Sequence, residues 1–258
     1  MGYDYILTEI GQSRVAACIE YSKAAPYLLE FANPSDLTFP PAFIPIWMTH
    51  ERDIVYGVLK HWFGIRDVSF VKFYLEYACM EEIGRSELQF LAFVVFEMLL
   101  NAPLEDFDRI NDFSIEVGLG GVNSYFPEDI QELTDLRSHP DFLDLLPRAL
   151  MLEGDVYTGG FPINGVSSLL FCGFELVGED PMLKRPGWIQ GSESLQTLFK
   201  LFLERGEHEK AWMTLNSPGW GYDYIVDALR GLDDKKSDKL FSALSELWIS
   251  THGSVECY

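Results

Sequence analysis

Carboxylates dominate the chemistry-bearing side chains of this protein: 40 of its 258 residues are Asp or Glu. Adjacent pairs include Glu81-Glu82, Glu105-Asp106, Glu128-Asp129 and Asp233-Asp234, and paired carboxylates are the minimal equipment of general acid–base hydrolysis. At this acid density such pairs arise from composition alone, so each reads first as a solvated charge run. A glycosidase-like hydrolase would instead bring two distant carboxyl groups to roughly 5–10 Å across a cleft. The histidines, His50, His61, His139, His208 and His252, include no pair spaced by four, and no H-E-x-x-H is present. Neither a G-x-S-x-G elbow nor a phosphate-loop lysine motif occurs. GLGGV at 118–122 lacks the third spaced glycine and the preceding strand of a dinucleotide fingerprint, and reads as a turn. Cys18, Cys79, Cys172 and Cys257 form no C-x-x-C and read as free thiols. No catalytic residue, no metal site and no cofactor is expected. Two aromatic groups, His61-Trp62-Phe63 and Pro218-Gly219-Trp220, read as corner packing, with an exposed interface anchor as the sharper alternative.

The acids matter more as a field than as pairs. Against 40 acidic residues stand 19 Lys and Arg, for a net charge of −21. Such a balance argues against binding nucleic acid, whose phosphates demand cations, and against an anionic membrane surface. With 48% hydrophobic and 14% aromatic residues the chain can bury a core, so its charge does not imply disorder. From Glu97 to Asp180 there are 17 acidic and 3 basic residues, net −14, while the rest of the chain carries 23 and 16, net −7. Two thirds of the excess charge therefore sits in one third of the length. The longest apolar run, LQFLAFVVFEMLL at 88–100, has 13 residues, includes Glu97 and is too short to span a bilayer. Residues 1–11 lack a basic segment and a long apolar run, so no secretory signal is read there. The expected location is the cytoplasm.

The elements that must position these groups follow from periodicity. Residues 20–32 read as a short helix. FIPIWM (43–48), DIVYGVLKHWF (53–63) and FVKFYLEYA (70–78) read as the strands of an antiparallel meander, Pro45 placing the first at an edge. Ser86 can cap a helix over 87–101 that is apolar on almost every side and must be buried, across the meander. In the acidic middle, 139–150 reads as a short helix and 167–178 as a buried strand. From Gly191 the pattern is helical: 192–205 with Ser192 as cap and Gly206 past the end, then 207–216, 222–230 and 237–249. GYDYI begins at both Gly2 and Gly221, but the flanks do not continue it, so it reads as coincidence. The expectation is an α+β fold: an antiparallel meander packed by a buried helix, an acidic middle, and an all-helical C-terminal part. The corresponding divisions are 1–105, 106–180 and 181–258, which may also form one continuous domain.

A short helix with Tyr27, Leu28 and Phe31, the proline-bearing FPPAFIPIW (39–47), an apolar meander and the buried helix at 87–101 stand in order over residues 24–101. In this order they resemble the SUKH superfamily, widespread as bacterial immunity proteins that neutralise polymorphic toxins. The resemblance implies a non-catalytic protein that occludes the active site of a toxin. Electrostatics agrees: toxins that attack nucleic acid are basic, and an acidic partner speeds encounter with them. The residues expected to meet a basic protein toxin are Asp106, Asp108, Asp112, Glu116, Glu128, Asp129, Glu132 and Asp135. The rival expectations are the carboxylate hydrolase and an interaction scaffold whose helical tail, between 192 and 249, docks partner helices.

Overall fold

The computed structural model describes residues 2–21, 29–31, 39–49, 54–63, 68–75, 79–84, 86–101, 106–121, 194–217, 220–236 and 238–251. Its centre is a five-stranded antiparallel sheet in simple sequential order: β1 (Leu29–Phe31), β2 (Phe43–Thr49), β3 (Ile54–Leu59), β4 (Ser69–Tyr74) and β5 (Cys79–Gly84). The fold is α+β, as the element pattern predicts. β2 is buried from Phe43 to Met48 with no alternation, the signature of a strand covered on both faces. On one face Phe39, Phe43 and Phe73 pack with ring centroids 5.1–5.7 Å apart. Trp47 and Phe70 stack on Phe90 at 5.7 and 4.8 Å.

Two expectations about this region need correction. Residues 29–31 are not helical; they pair with β2 in the register Leu29↔Thr49 to Phe31↔Trp47. β2 is consequently not an edge strand, despite Pro45. The register shifts between Pro45 and Trp47, and a bulge is where a residue without an N–H can sit inside a sheet. Pro45 lies opposite Gly57. A Cβ at Gly57 would collide with the Ile44 carbonyl oxygen and the Phe43 ring, so glycine there lets the Phe43 side chain lie flat over β3.

Helix α3 (Glu87–Asn101) supplies Phe90 and buries Leu91, Val94, Val95 and Met98 as well. Ser86 Oγ accepts from the Gln89 N–H at 3.2 Å, the expected cap. Lys72 of β4 is buried beneath α3, its ammonium 2.9 Å from Glu97 and 4.5 Å from the Phe93 ring centroid, so the acid in the apolar run neutralises this buried cation. Two N-terminal helices, α1 (Tyr3–Glu9) and α2 (Ser13–Tyr21), were not legible in the sequence. The Val15 N–H in the first turn of α2 donates to Glu87 Oε1 at 2.8 Å, and that carboxylate favours the positive end of α2.

The C-terminal part is helical: after α4, described below, come α5 (Leu195–Glu204), α6 (His208–Leu215), α7 (Tyr222–Lys236) and α8 (Lys239–Thr251). The α5 cap is Ser194, not Ser192; its Oγ accepts from the Thr197 N–H at 3.2 Å. Gly206 adopts φ +73°, and the N–H groups of Gly206 and Glu207 close onto Leu203 O and Phe202 O, a left-handed C-terminal cap that favours glycine. α7 runs six residues beyond its expected end at 230. These helices are tied to the sheet by long-range bonds. Trp248 Nε1 donates to Phe39 O at 3.0 Å, and the Ala42 N–H donates to Asn216 Oδ1 at 2.6 Å. Sheet and helices share one continuous core.

The two GYDYI segments occupy matching places: each opens a helix, α1 and α7, that packs on α8. Tyr222 stacks on Trp248 at 5.9 Å and its hydroxyl donates to Ile249 O at 2.9 Å, while Tyr3 is buried and its hydroxyl is pushed up to about 12 by burial, against the pull of the Thr251 hydroxyl. In both copies the isoleucine is fully buried and the second tyrosine is exposed. Identical spacing on two helix starts yields identical facing.

Candidate functional site

Four of the eight acidic residues singled out in the sequence lie in or beside α4 (Phe107–Glu116). The helix exists because Ile110, Phe113 and Ser114 face inward; Phe113 meets Trp47 edge to face at 6.2 Å. Its end is set by glycine. Gly118 has φ +82°, its N–H and that of Leu119 bond to Ile115 O and Ser114 O at 3.0 Å, and Ser114 Oγ donates to Gly120 O at 2.8 Å. The GLGG part of this motif, 118–121, is thus a helix C-terminal cap, in keeping with the turn reading. Leu119 is buried and seals it.

With Phe113 and Ile110 turned inward, the opposite face carries Asp108, Asp112 and Glu116, all exposed, with the exposed Arg109 at its border, held 3.2 Å from Asp106. The three acids are spaced by four, so they form one stripe with neighbouring carboxylates about 5–6 Å apart at Cβ. Ile115 lies on the same stripe and is 52% exposed. Asp106 is placed differently. It immediately precedes the helix, is buried, and its Oδ1 is 3.2 Å from Arg109 Nη1; among the described residues its Oδ2 has no hydrogen-bond partner. It contributes no exposed charge to the stripe. Glu128, Asp129, Glu132 and Asp135, and the elements expected at 139–150 and 167–178, lie outside the described residues.

Arg14 of α2 stands near the C-terminal end of α4: a Cβ on Gly118 would lie 3.3 Å from its Nη1. A guanidinium is favourable beside helix-terminal carbonyls. Cys18, one turn on, is buried, and its thiol is pushed up to about 11. Burial is the main cause; the Glu87 and Glu116 carboxylates add to it and Arg14 opposes it. A thiol so held is a packing residue and a poor nucleophile.

The other chemistry-bearing residues have structural tasks. Trp62 is buried against Phe241 at 5.8 Å, and Phe63 packs on Trp212 and Phe241 at 5.7 and 5.1 Å. Trp220 is buried against Phe199, its Nε1 donating to Thr214 O at 2.9 Å. The packing reading of both aromatic groups holds, and neither Trp62 nor Trp220 is an exposed anchor. Asp233 accepts from Ser242 Oγ at 2.5 Å, tying α7 to α8, while Asp234 is exposed. His208 meets the edge of Phe63 at 6.1 Å. Among the described residues no group of three or more His, Cys, Asp or Glu is placed to hold a metal ion, and no helix is long and apolar enough to cross a membrane.

Sequence reading missed Ile115. Its signal is present: it is three residues from Asp112 and seven from Asp108, off the inward set of Ile110 and Phe113, and becomes visible once α4 is recognised. No family model, no curated protein and no solved structure matches this chain.

Proposed function

We propose that this protein is a non-catalytic binding protein that receives a basic protein partner on the outward face of α4, most specifically an immunity protein that occludes a cationic toxin. The observation that carries the reading is the stripe of Asp108, Asp112 and Glu116, exposed together on one side of α4. Three neighbouring carboxylates repel one another in the free protein, Arg109 and Arg14 offsetting this only at the edges, and a cationic partner relieves the remainder while speeding encounter. The net charge of −21 extends that attraction beyond the helix.

The test is charge reversal. A triple variant, Asp108→Lys, Asp112→Lys and Glu116→Lys, leaves the inward face of α4 untouched. Association with a basic protein that co-purifies with the parent at low salt should slow by about tenfold or more at low salt and lose most of its salt dependence. Co-expression of the parent protein should restore growth to cells making that basic protein, and the variant should not. An unchanged association rate, or equal rescue by the variant, would show that α4 serves only solubility.

A further inference from the structure

Ile115 is the chemical exception on the acidic face of α4. The inward Ile110 and Phe113 are 1% and 4% exposed, whereas Ile115 is 52% exposed. On a helix its nearest neighbours on that side are Asp112, one turn back, and Asp108, a second turn back, with Glu116 beside it. The large hydrophobic residues exposed among the described ones are Tyr5, Ile115 and Tyr224. The tyrosines carry a hydroxyl that water can hydrate; the isoleucine carries no polar atom. A lone exposed aliphatic residue is ordinary on a protein surface. Ile115 stands at the edge of the acidic stripe, with Asp112 and Glu116 on one side of it, and an apolar contact bordered by polar groups is the layout of interface anchors.

We propose that Ile115 is the anchor of this face and seats against an apolar spot bordered by lysine or arginine on the basic partner. The inference rests on the reading of α4 as the partner-binding face. Charge complementarity chooses the occupant: three carboxylates repel nucleic acid and acidic proteins and accept ammonium or guanidinium groups around the buried contact. The two chemistries act at different stages. Long-range attraction by Asp108, Asp112 and Glu116 governs arrival and its salt dependence, and the Ile115 contact, formed only after water leaves, governs residence time.

Two synthetic helical peptides serve as probes against the full-length protein. One carries a leucine flanked by arginines at three- and four-residue spacings; the other is identical with serine in place of that leucine. Titrations at low and physiological salt should show the leucine peptide binding more tightly to the parent protein. Ile115→Ser should weaken the leucine peptide about tenfold, equivalent to about 1.4 kcal/mol, and leave the serine peptide and both salt slopes unchanged. Asp108→Lys with Asp112→Lys should weaken both peptides and flatten both slopes. If Ile115→Ser shifts the two peptides equally, or neither, while charge reversal still acts, the anchor is wrong and the acidic face stands. If charge reversal leaves both peptides unaffected, the partner-binding reading of α4 falls with it.

Discussion

At Cys18, burial and neighbouring charge push in the same direction. The folded thiol is raised from 9.0 to about 11, first by burial and then by Glu87 and Glu116, against Arg14. The native state therefore holds this proton more tightly than the unfolded chain. The associated stability is fully present below about pH 9 and is lost as pH rises through about 11. Denaturant unfolding at pH 8 and pH 11 should show Cys18→Ala losing less stability over that interval than the parent, by on the order of 1–3 kcal/mol. Identical pH dependence in the two proteins would remove the thiol from the account. The sequence marked Cys18 as reduced, on spacing and compartment. That Glu87 and Glu116 stand near it is a product of three helices meeting, which no local pattern encodes. Asp106 makes the same point: its type announced a surface charge, and the approach of Arg109 together with burial withdrew it from the surface.

Among the elements, those whose neighbours in sequence suffice to define them were legible. The apolar run at 87–101 and the helices α5, α6 and α8 fall where they were expected, within a few residues, and α7 starts where expected but runs six residues longer. Elements with a weak apolar pattern of their own were not. α4 hides among acids because only Ile110, Phe113 and Ser114 need face inward, and β1 is three residues long, held by its pairing with β2. Pro45 was read by its own chemistry, which forbids a ladder donor, and a bulge in β2 supplied the exemption. Across the ladder from Pro45 stands Gly57. Gly57→Ala should cost about 2–3 kcal/mol, since the added carbon meets backbone and a packed ring and not a flexible side-chain end. Thermal unfolding monitored by near-ultraviolet circular dichroism checks this; a melting temperature within about 2 °C of the parent would mean that Phe43 repacks at little cost.

Across the whole molecule, the sheet and the helical part are held by contacts between distant segments. Asn216 is 1% exposed; its Oδ1 accepts from the Ala42 N–H and its Nδ2 donates to Trp212 O at 2.7 Å. Asn216→Ala leaves a buried N–H and a buried carbonyl without this partner, at a cost of about 2–3 kcal/mol. Because the core is continuous, that loss should lower one cooperative transition, with near- and far-ultraviolet signals still coincident. Two separated transitions would mean that the sheet and the helices stand independently. The sequence by itself determined the α+β class, the buried character of the 87–101 helix, the helical end and a strongly negative molecule, because these depend on composition and on periodicity within a few turns. Only the tertiary structure decided that Asp108, Asp112 and Glu116 share an exposed face with Ile115, that Asp106 does not, and that a proline sits inside a sheet. Facing is set by what covers the other side of an element. Here the covering groups arrive from far along the chain, as when Trp248 reaches Phe39 across 209 residues.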